Sequence, residues 1–335
     1  MNKVVIHIVS PAPHVCQILA GYEDLFGEQV IVEDHLSDPY YEGHRGAFLI
    51  ISYQGLRLVY DMNDGYNDPE TILWYLEQCD FYFKRSYSSS QNALLFPNFS
   101  PRIFPTGLWY QVSPRNNPFH YSFRERFLDI LGIKAYPWFT QDKFERAPVY
   151  KKEGLRILYS TRLWEPVLDD EALNQERREI NSMRINLVRS LARIYKKDYW
   201  GGLYDTPLAR KMAPDLILPK IKTIKNRYLA VMHSSDICIG SMGLHKSIGG
   251  KTGEYVAASK AIVNETLHYE VTGDFTEGRN YISIRSIEES RDSVNSLYSS
   301  PESVYEMKVA NSQYYNNYLK PATLVHNTLD RISQR

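Results

Sequence analysis

The stretch HKSIGGKTGE, residues 245–254, brings three glycines, a lysine, a histidine and a carboxylate close together. Gly249, Gly250 and Gly253 allow a backbone to approach a bound group closely. Lys251 and His245 can give charge or hydrogen bonds to an anion, and Glu254 can accept two hydrogen bonds. The GKT run suggests a phosphate loop of the G-x-x-x-x-G-K-[ST] kind, but His245 stands where that pattern needs its first glycine. Such a loop also follows the first strand of its domain, whereas this run follows MHSSDICIGS late in the chain. What remains is a cradle of another kind, with glycines just before a helix whose free N–H groups and positive dipole end favour an anion. Taken alone, the same residues also fit a glycine turn with a solvated lysine.

A second constellation, Asp61, Asn63 and Asp64 in YDMNDGY, follows an apolar run. A carboxylate there can act as general base on an acceptor hydroxyl, and the choice between Asp61 and Asp64 is open. The same pairs are common formers of Asx turns. Arg162, directly after RILYST, can meet an anion or pair with Glu165, and Arg184 or Arg189 can assist it. Gly201 and Gly202 in GGLYDT read as a loop, either against a nucleotide or a plain one. KRSY (84–87) is open to contact with the acceptor or to a plain surface role. No H-E-x-x-H or D-x-D spacing is present, so no cofactor and no obligatory metal ion are expected.

These residues need elements to hold them. Strand-like runs occur at 4–9, 29–34, 47–52, 56–61, 155–160, 215–219, 236–241 and 261–265. Helical patterns lie between many of them, including DPETILWYLEQCD and the long stretch from 169 to 197, acidic at its start and basic at its end. Strands alternating with helices predict an α/β fold with parallel sheets covered on both faces. Prolines cluster between about 97 and 154 and a fresh strand begins at Leu155, which predicts domains 1–150 and 151–310. The tail, 311–335, is expected to be a helix broken near Pro321 that packs back on the first domain. Two open sheets place ligands in a cleft at the carboxyl ends of their strands.

Composition narrows the partners. In 335 residues, Lys plus Arg equals Asp plus Glu at 39 each, which argues against nucleic acid. Cys16, Cys79 and Cys238 are few and scattered, as suits a reducing cytosol. The start, MNKVVIHIVS, is too short and polar for a signal peptide or a spanning helix.

The block GEYVAASKAIV (253–263) resembles the one that closes the nucleotide site in group 1 glycosyltransferases, roughly E-A-M-A-x-G-x-P-V-V. Glu254 falls on its ribose-binding acid; Ser259 and Ala261 stand where the family has Gly and Pro. CDFYFKRSYS (79–88), FPTGLWYQV (104–112), YSTRLWEP (159–166) and VTGDFTEGRNYISI (271–284) are similar to other family segments in the required order, and the likeness is strongest over 236–284. The motif is closest in character to bacterial surface-polysaccharide glycosyltransferases. The resemblance implies two Rossmann-like domains facing a central cleft (GT-B type), with the C-terminal helix crossing back to the first. It implies a nucleotide-sugar donor held by Arg162, Gly201, Gly202, His245, Gly249, Gly250, Lys251, Gly253 and Glu254. It further implies a glycan or lipid-linked acceptor served by Asp61, Asn63 or Asp64, in the cytoplasm or peripherally at the inner face of the membrane. A nucleotide-sugar 2-epimerase or a non-catalytic glycan- or nucleotide-binding protein on the same architecture are the alternatives. Oligomeric state is not legible.

Overall fold

The computed structural model describes residues 3–116, 118, 127 and 139–333. It divides into one unit of Met1–Lys143, Tyr269–Gly273 and Asn316–Arg335 and a second of Phe144–His268 and Asp274–Tyr315.

In the first unit, β1 (Val4–Ile8), β2 (Val30–Asp34), β3 (Phe48–Tyr53), β4 (Leu56–Asp61), β5 (Phe81–Lys84) and β6 (Ile103–Pro105) form a sheet in the order β2-β1-β3-β4-β5-β6. The sheet is mixed rather than parallel, because β3 runs antiparallel to both β1 and β4. The reason is local: Gln54 and Gly55, at φ 52° and 80°, make a two-residue turn whose twist suits a hairpin. Period-two alternation then serves both faces. Leu49, Ile51, Leu58 and Tyr60 join one core with α1 (Cys16–Phe26), while Phe48, Ile50 and Val59 join another with α2 (Pro69–Leu76). Each such fully buried aliphatic side chain contributes about 1.5–3 kcal/mol relative to exposure. A short helix, α3 (Ser89–Leu95), follows β5.

The second unit carries a wholly parallel sheet of β7 (Ile157–Thr161), β8 (Tyr199–Leu203), β9 (Ile237–Gly240), β10 (Ala261–Glu265) and β11 (Ile282–Ile284), in the order β11-β10-β9-β7-β8. The strand order reverses between β7 and β9, so this is the switch point at which α/β sheets bind ligands. Its longest helix, α4 (Glu171–Tyr195), starts where the Asp170 carboxylate accepts from Leu173 N at 2.9 Å and buries Leu187, Val188 and Leu191 against the sheet. The expected strand at 215–219 is instead a 3₁₀ turn, Pro214–Leu216, with a single bridge from Ile217 to Leu203. Pro214 and Pro219 at its edges leave too little room for a ladder.

After α5 (Pro207–Met212), α6 (Lys225–Ser234), α7 (Gly250–Ala257), α8 (Ile287–Tyr298) and α9 (Pro301–Tyr314), the tail passes through a π turn, Tyr315–Leu319, into α10 (Pro321–Ser333). Pro321 has no N–H to offer Asn317 O, and the Asn327 side chain donates to that carbonyl at 2.8 Å instead. Gln17 of α1 likewise donates to Leu319 O at 2.9 Å. Helix α10 packs on α1 within the first unit so closely that a Cβ on Gly21 would lie 2.3 Å from Pro321 O. No described helix is long and apolar enough to cross a membrane.

Candidate functional site

The GKT residues of the second unit are placed by the strands around them. Thr252 is buried and donates to Asn264 Oδ1 at 2.9 Å, so its hydroxyl pins α7 to β10 and is not presented as a phosphate loop would present it. Gly249 is the N-cap of α7 and no side chain caps the helix; Thr252 N donates to Gly249 O at 3.0 Å, so the amides of Gly250 and Lys251 are the ones left to an acceptor. A Cβ on Gly249 would come 3.0 Å from Ser241 O. Gly250 opens α7, and Gly253 is buried within it. In the preceding loop His245 and Lys246 both hold left-handed backbone, at φ 54° and 57°. Two such non-glycine residues in succession cost of order 1–3 kcal/mol each, which the surrounding loop must offset.

Lys251 reaches the carboxyl end of β7, donating to Ser160 O, to Ser160 Oγ at 3.3 Å and to Tyr204 OH at 3.2 Å. Its ammonium lies 5.0 Å from the Tyr204 ring centre and 4.8 Å from that of Tyr228. Burial opposes ionisation of Tyr204, but the Lys251 charge and hydrogen bond prevail and bring the phenol below its ordinary pKa. Glu254 is buried at 4% exposure, with Oε1 paired to Lys225. Its other oxygen, Oε2, is buried with no hydrogen-bond partner. An orphaned carboxylate oxygen is costly unless something binds it.

Arg162 is exposed and lies over the Trp164 ring at 4.5 Å. Arg184 is buried; it donates to Arg162 O at 2.6 Å and Met242 O at 2.9 Å, tying together the ends of β7 and β9. It therefore acts as a brace there, and Arg189 forms an exposed pair with Asp215. Gly201 and Gly202 lie in β8 and not in a loop, because a Cβ on Gly201 would meet Tyr159 O at 1.9 Å and the Tyr199 hydroxyl at 2.2 Å. Close packing between β8 and β7 accounts for that glycine.

In the first unit, Asp61 ends β4 with no exposure, and its carboxylate is fully engaged. Oδ2 accepts from Lys84 Nζ at 2.6 Å and Tyr82 OH at 2.8 Å; Oδ1 accepts from Asn63 N at 2.9 Å and Asn63 Nδ2 at 2.8 Å. Asn63 Oδ1 in turn accepts from Ala47 N at 2.9 Å. This closed network is the Asx turn, and it leaves Asp61 no lone pair for chemistry. Lys84 is just as buried and is part of that network, so it is not a surface lysine. Asp64 differs: its side chain is 40% exposed and pairs with the buried Arg85.

Beside that pair sits His14, which the sequence reading did not single out. PAPHV follows β1 after Val9 and Ser10, and the 3₁₀ turn Pro13–Val15 holds His14 beyond the carboxyl end of that strand. The His14 ring is 4.7 Å from Trp109, over which the Arg85 guanidinium lies at 4.8 Å. Burial and the Arg85 charge push His14 down to about 4, against a weaker opposing pull from Asp64. The unfolded imidazole takes its proton near 6.5 and the folded one only near 4, so the unfolded state binds more protons in that window. Stability should therefore fall as pH drops from about 6.5 towards 4, by about 3 kcal/mol from this group. Urea melts across that range should show a shallower pH dependence in His14→Gln; superimposable profiles would remove His14 as the cause.

In the second unit, Tyr204, Lys225 and Ser160 were also absent from the sequence-level candidates. Tyr204 lies in GGLYDT beside the flagged glycines, but nothing in IKTIKNR marks Lys225.

No family model and no curated protein matches the chain. Among solved structures it is similar to the C-terminal domain of a glycosyl transferase group 1 family protein, LpcC, from Francisella tularensis. The identity is 12% and the TM-score 0.37, over 53% of this chain and 96% of that one. It is also similar to sucrose-phosphate synthase from Thermosynechococcus elongatus, at 12% identity and TM-score 0.42 over 79% of this chain and 61% of that one. UDP-GlcNAc 2-epimerase from Neisseria meningitidis, bound to UDP-GlcNAc, is similar at 14% identity and TM-score 0.43, over 83% and 76%.

Proposed function

We propose that the chain is a glycosyltransferase that moves a sugar from a nucleotide-diphosphate donor to a glycan or lipid-linked glycan in bacterial surface-polysaccharide synthesis. The observation that supports it most is the orphaned Glu254 Oε2, buried on the helix whose uncapped first turn and Lys251 stand at the switch point of a parallel sheet. A ribose diol satisfies that oxygen, and the diphosphate takes the α7 amides and Lys251. Arg162, exposed at the end of β7, adds charge as the diphosphate leaves. We assign acceptor deprotonation to Asp64, since Asp61 and Asn63 are committed to each other and to Lys84. The transfer chemistry so described draws on no metal ion or cofactor, and it is suited to the cytoplasmic face of a membrane.

A thermal-shift panel of UDP, GDP, ADP, CDP and dTDP, each with and without EDTA, tests the donor half, because a ligand that binds only the folded state must raise its stability. One base should stand out, with the shift retained in EDTA. No shift from any of them at millimolar concentration would overturn the proposal. Incubation of the matching nucleotide sugar alone should leave its sugar unchanged; interconversion without acceptor would make the enzyme an epimerase.

A further inference from the structure

Parallel pairing of β1 with β2 sets His7 opposite Glu33, and His35 lies two residues beyond Glu33 along the same strand direction. Three ligand atoms converge there. His7 Nδ1 is 3.1 Å from Glu33 Oε2, His35 Nε2 is 3.5 Å from the same oxygen, and the two ring nitrogens are 3.2 Å apart. A tetrahedral ion with ligand distances of about 2.0–2.1 Å separates its ligand atoms by about 3.3–3.4 Å, which is the size of this triangle.

The outer nitrogens are held as well. His35 Nδ1 is 3.2 Å from Asp38 Oδ2, and His7 Nε2 is 2.9 Å from Ser52 Oγ. Asp38 is itself fixed, because its Oδ1 accepts from Tyr40 N at 3.0 Å. If each ring donates outward, His7 Nδ1, His35 Nε2 and Glu33 Oε2 turn three lone pairs towards one point with no proton between them. Such an arrangement is repulsive until a cation occupies the point. Carboxylate–histidine contacts of this kind orient metal-ligating imidazoles.

We propose that His7, Glu33 and His35 form a binding site for a divalent transition ion of the zinc class. Two imidazoles and one carboxylate suit zinc and its neighbours, whereas magnesium and calcium prefer all-oxygen sets. Glu33 is exposed, so the fourth position opens to solvent. The ion joins the edge strand β2 to β1, and none of its ligands belongs to the proposed transfer chemistry. No linear motif announces it, because an E-x-H pair at the end of one strand is completed by a residue from its neighbour.

Metal-free protein should bind one zinc per chain at micromolar concentration in equilibrium dialysis, with a rise in melting temperature that magnesium does not reproduce. His7→Asn and His35→Asn should each weaken binding at least tenfold, and Asp38→Asn and Ser52→Ala about tenfold through ring orientation. Metal-free melts of every variant beside metal-free wild type report whether the fold is kept. Absence of stoichiometric zinc in the wild type would overturn the site, as would full retention of zinc by a folded His7→Asn/His35→Asn double variant.

Discussion

Asp61→Asn is expected to destabilise the first unit by about 3–5 kcal/mol, the usual cost of leaving a buried charge without its partner. Lys84 is buried, and its Nζ lies 2.6 Å from Asp61 Oδ2. Burial already lowers the Lys84 pKa, and the Asp61 charge offsets that only in part. Removing the charge drives Lys84 to shed its proton or stay ionised without compensation, and it loosens the turn that Asp61 holds through Asn63. Asp64→Asn should cost less, because that carboxylate reaches solvent. The double variant Asp61→Asn/Lys84→Met should recover much of the loss, since an apolar replacement of a buried pair is often near neutral. Chemical denaturation of the four proteins reads all of this. Should Asp61→Asn melt like wild type yet lose turnover, Asp61 would be the base after all and the role given to Asp64 would pass to it.

The contrast between these two aspartates shows where a sequence stops being informative. YDMNDGY marks both as polar residues after a strand, but burial depends on Lys84 and Tyr82, two positions on a strand that arrives some twenty residues later. Strands with β-branched runs were legible because their periodicity is local, as at 47–52 and 56–61. The QG turn between them lies in plain view as well, and positive φ at both of its residues suits the two-residue hairpin that makes β3 antiparallel to β4. GGLYDT misled because glycine signals a loop, whereas Gly201 is small to fit against β7. Around α7, Lys251 and Glu254 can be read together because they share one short helix, and a spacing of three residues on a helix places side chains on neighbouring positions. Lys225, Tyr204 and Ser160 come from three other elements, and only the folded sheet brings them together. His7 on β1, Glu33 on β2 and His35 just beyond β2 are the same case.

Glu254→Gln should weaken nucleoside diphosphate binding by about 10–100-fold, on the premise that its free oxygen takes a charge-assisted hydrogen bond of about 1.5–3 kcal/mol from the ribose. The amide keeps the shape of the side chain, but it can present only one acceptor oxygen, to Lys225 or to the ligand. Because Glu254 also balances Lys225, loss of affinity alone would not identify the ribose contact. The sugar hydroxyl must be varied too. Wild type should discriminate against a 2′-deoxynucleoside diphosphate, and Glu254→Gln should discriminate much less, with the coupling read from a double cycle of enzyme and ligand. Lys225→Met supplies the control, since it disturbs the pair from the other side while leaving the carboxylate in place. Equal preference for ribose over deoxyribose in wild type and in folded Glu254→Gln would mean that Oε2 does not face the sugar, and the donor would have to be sought around Lys251 and the α7 amides without it.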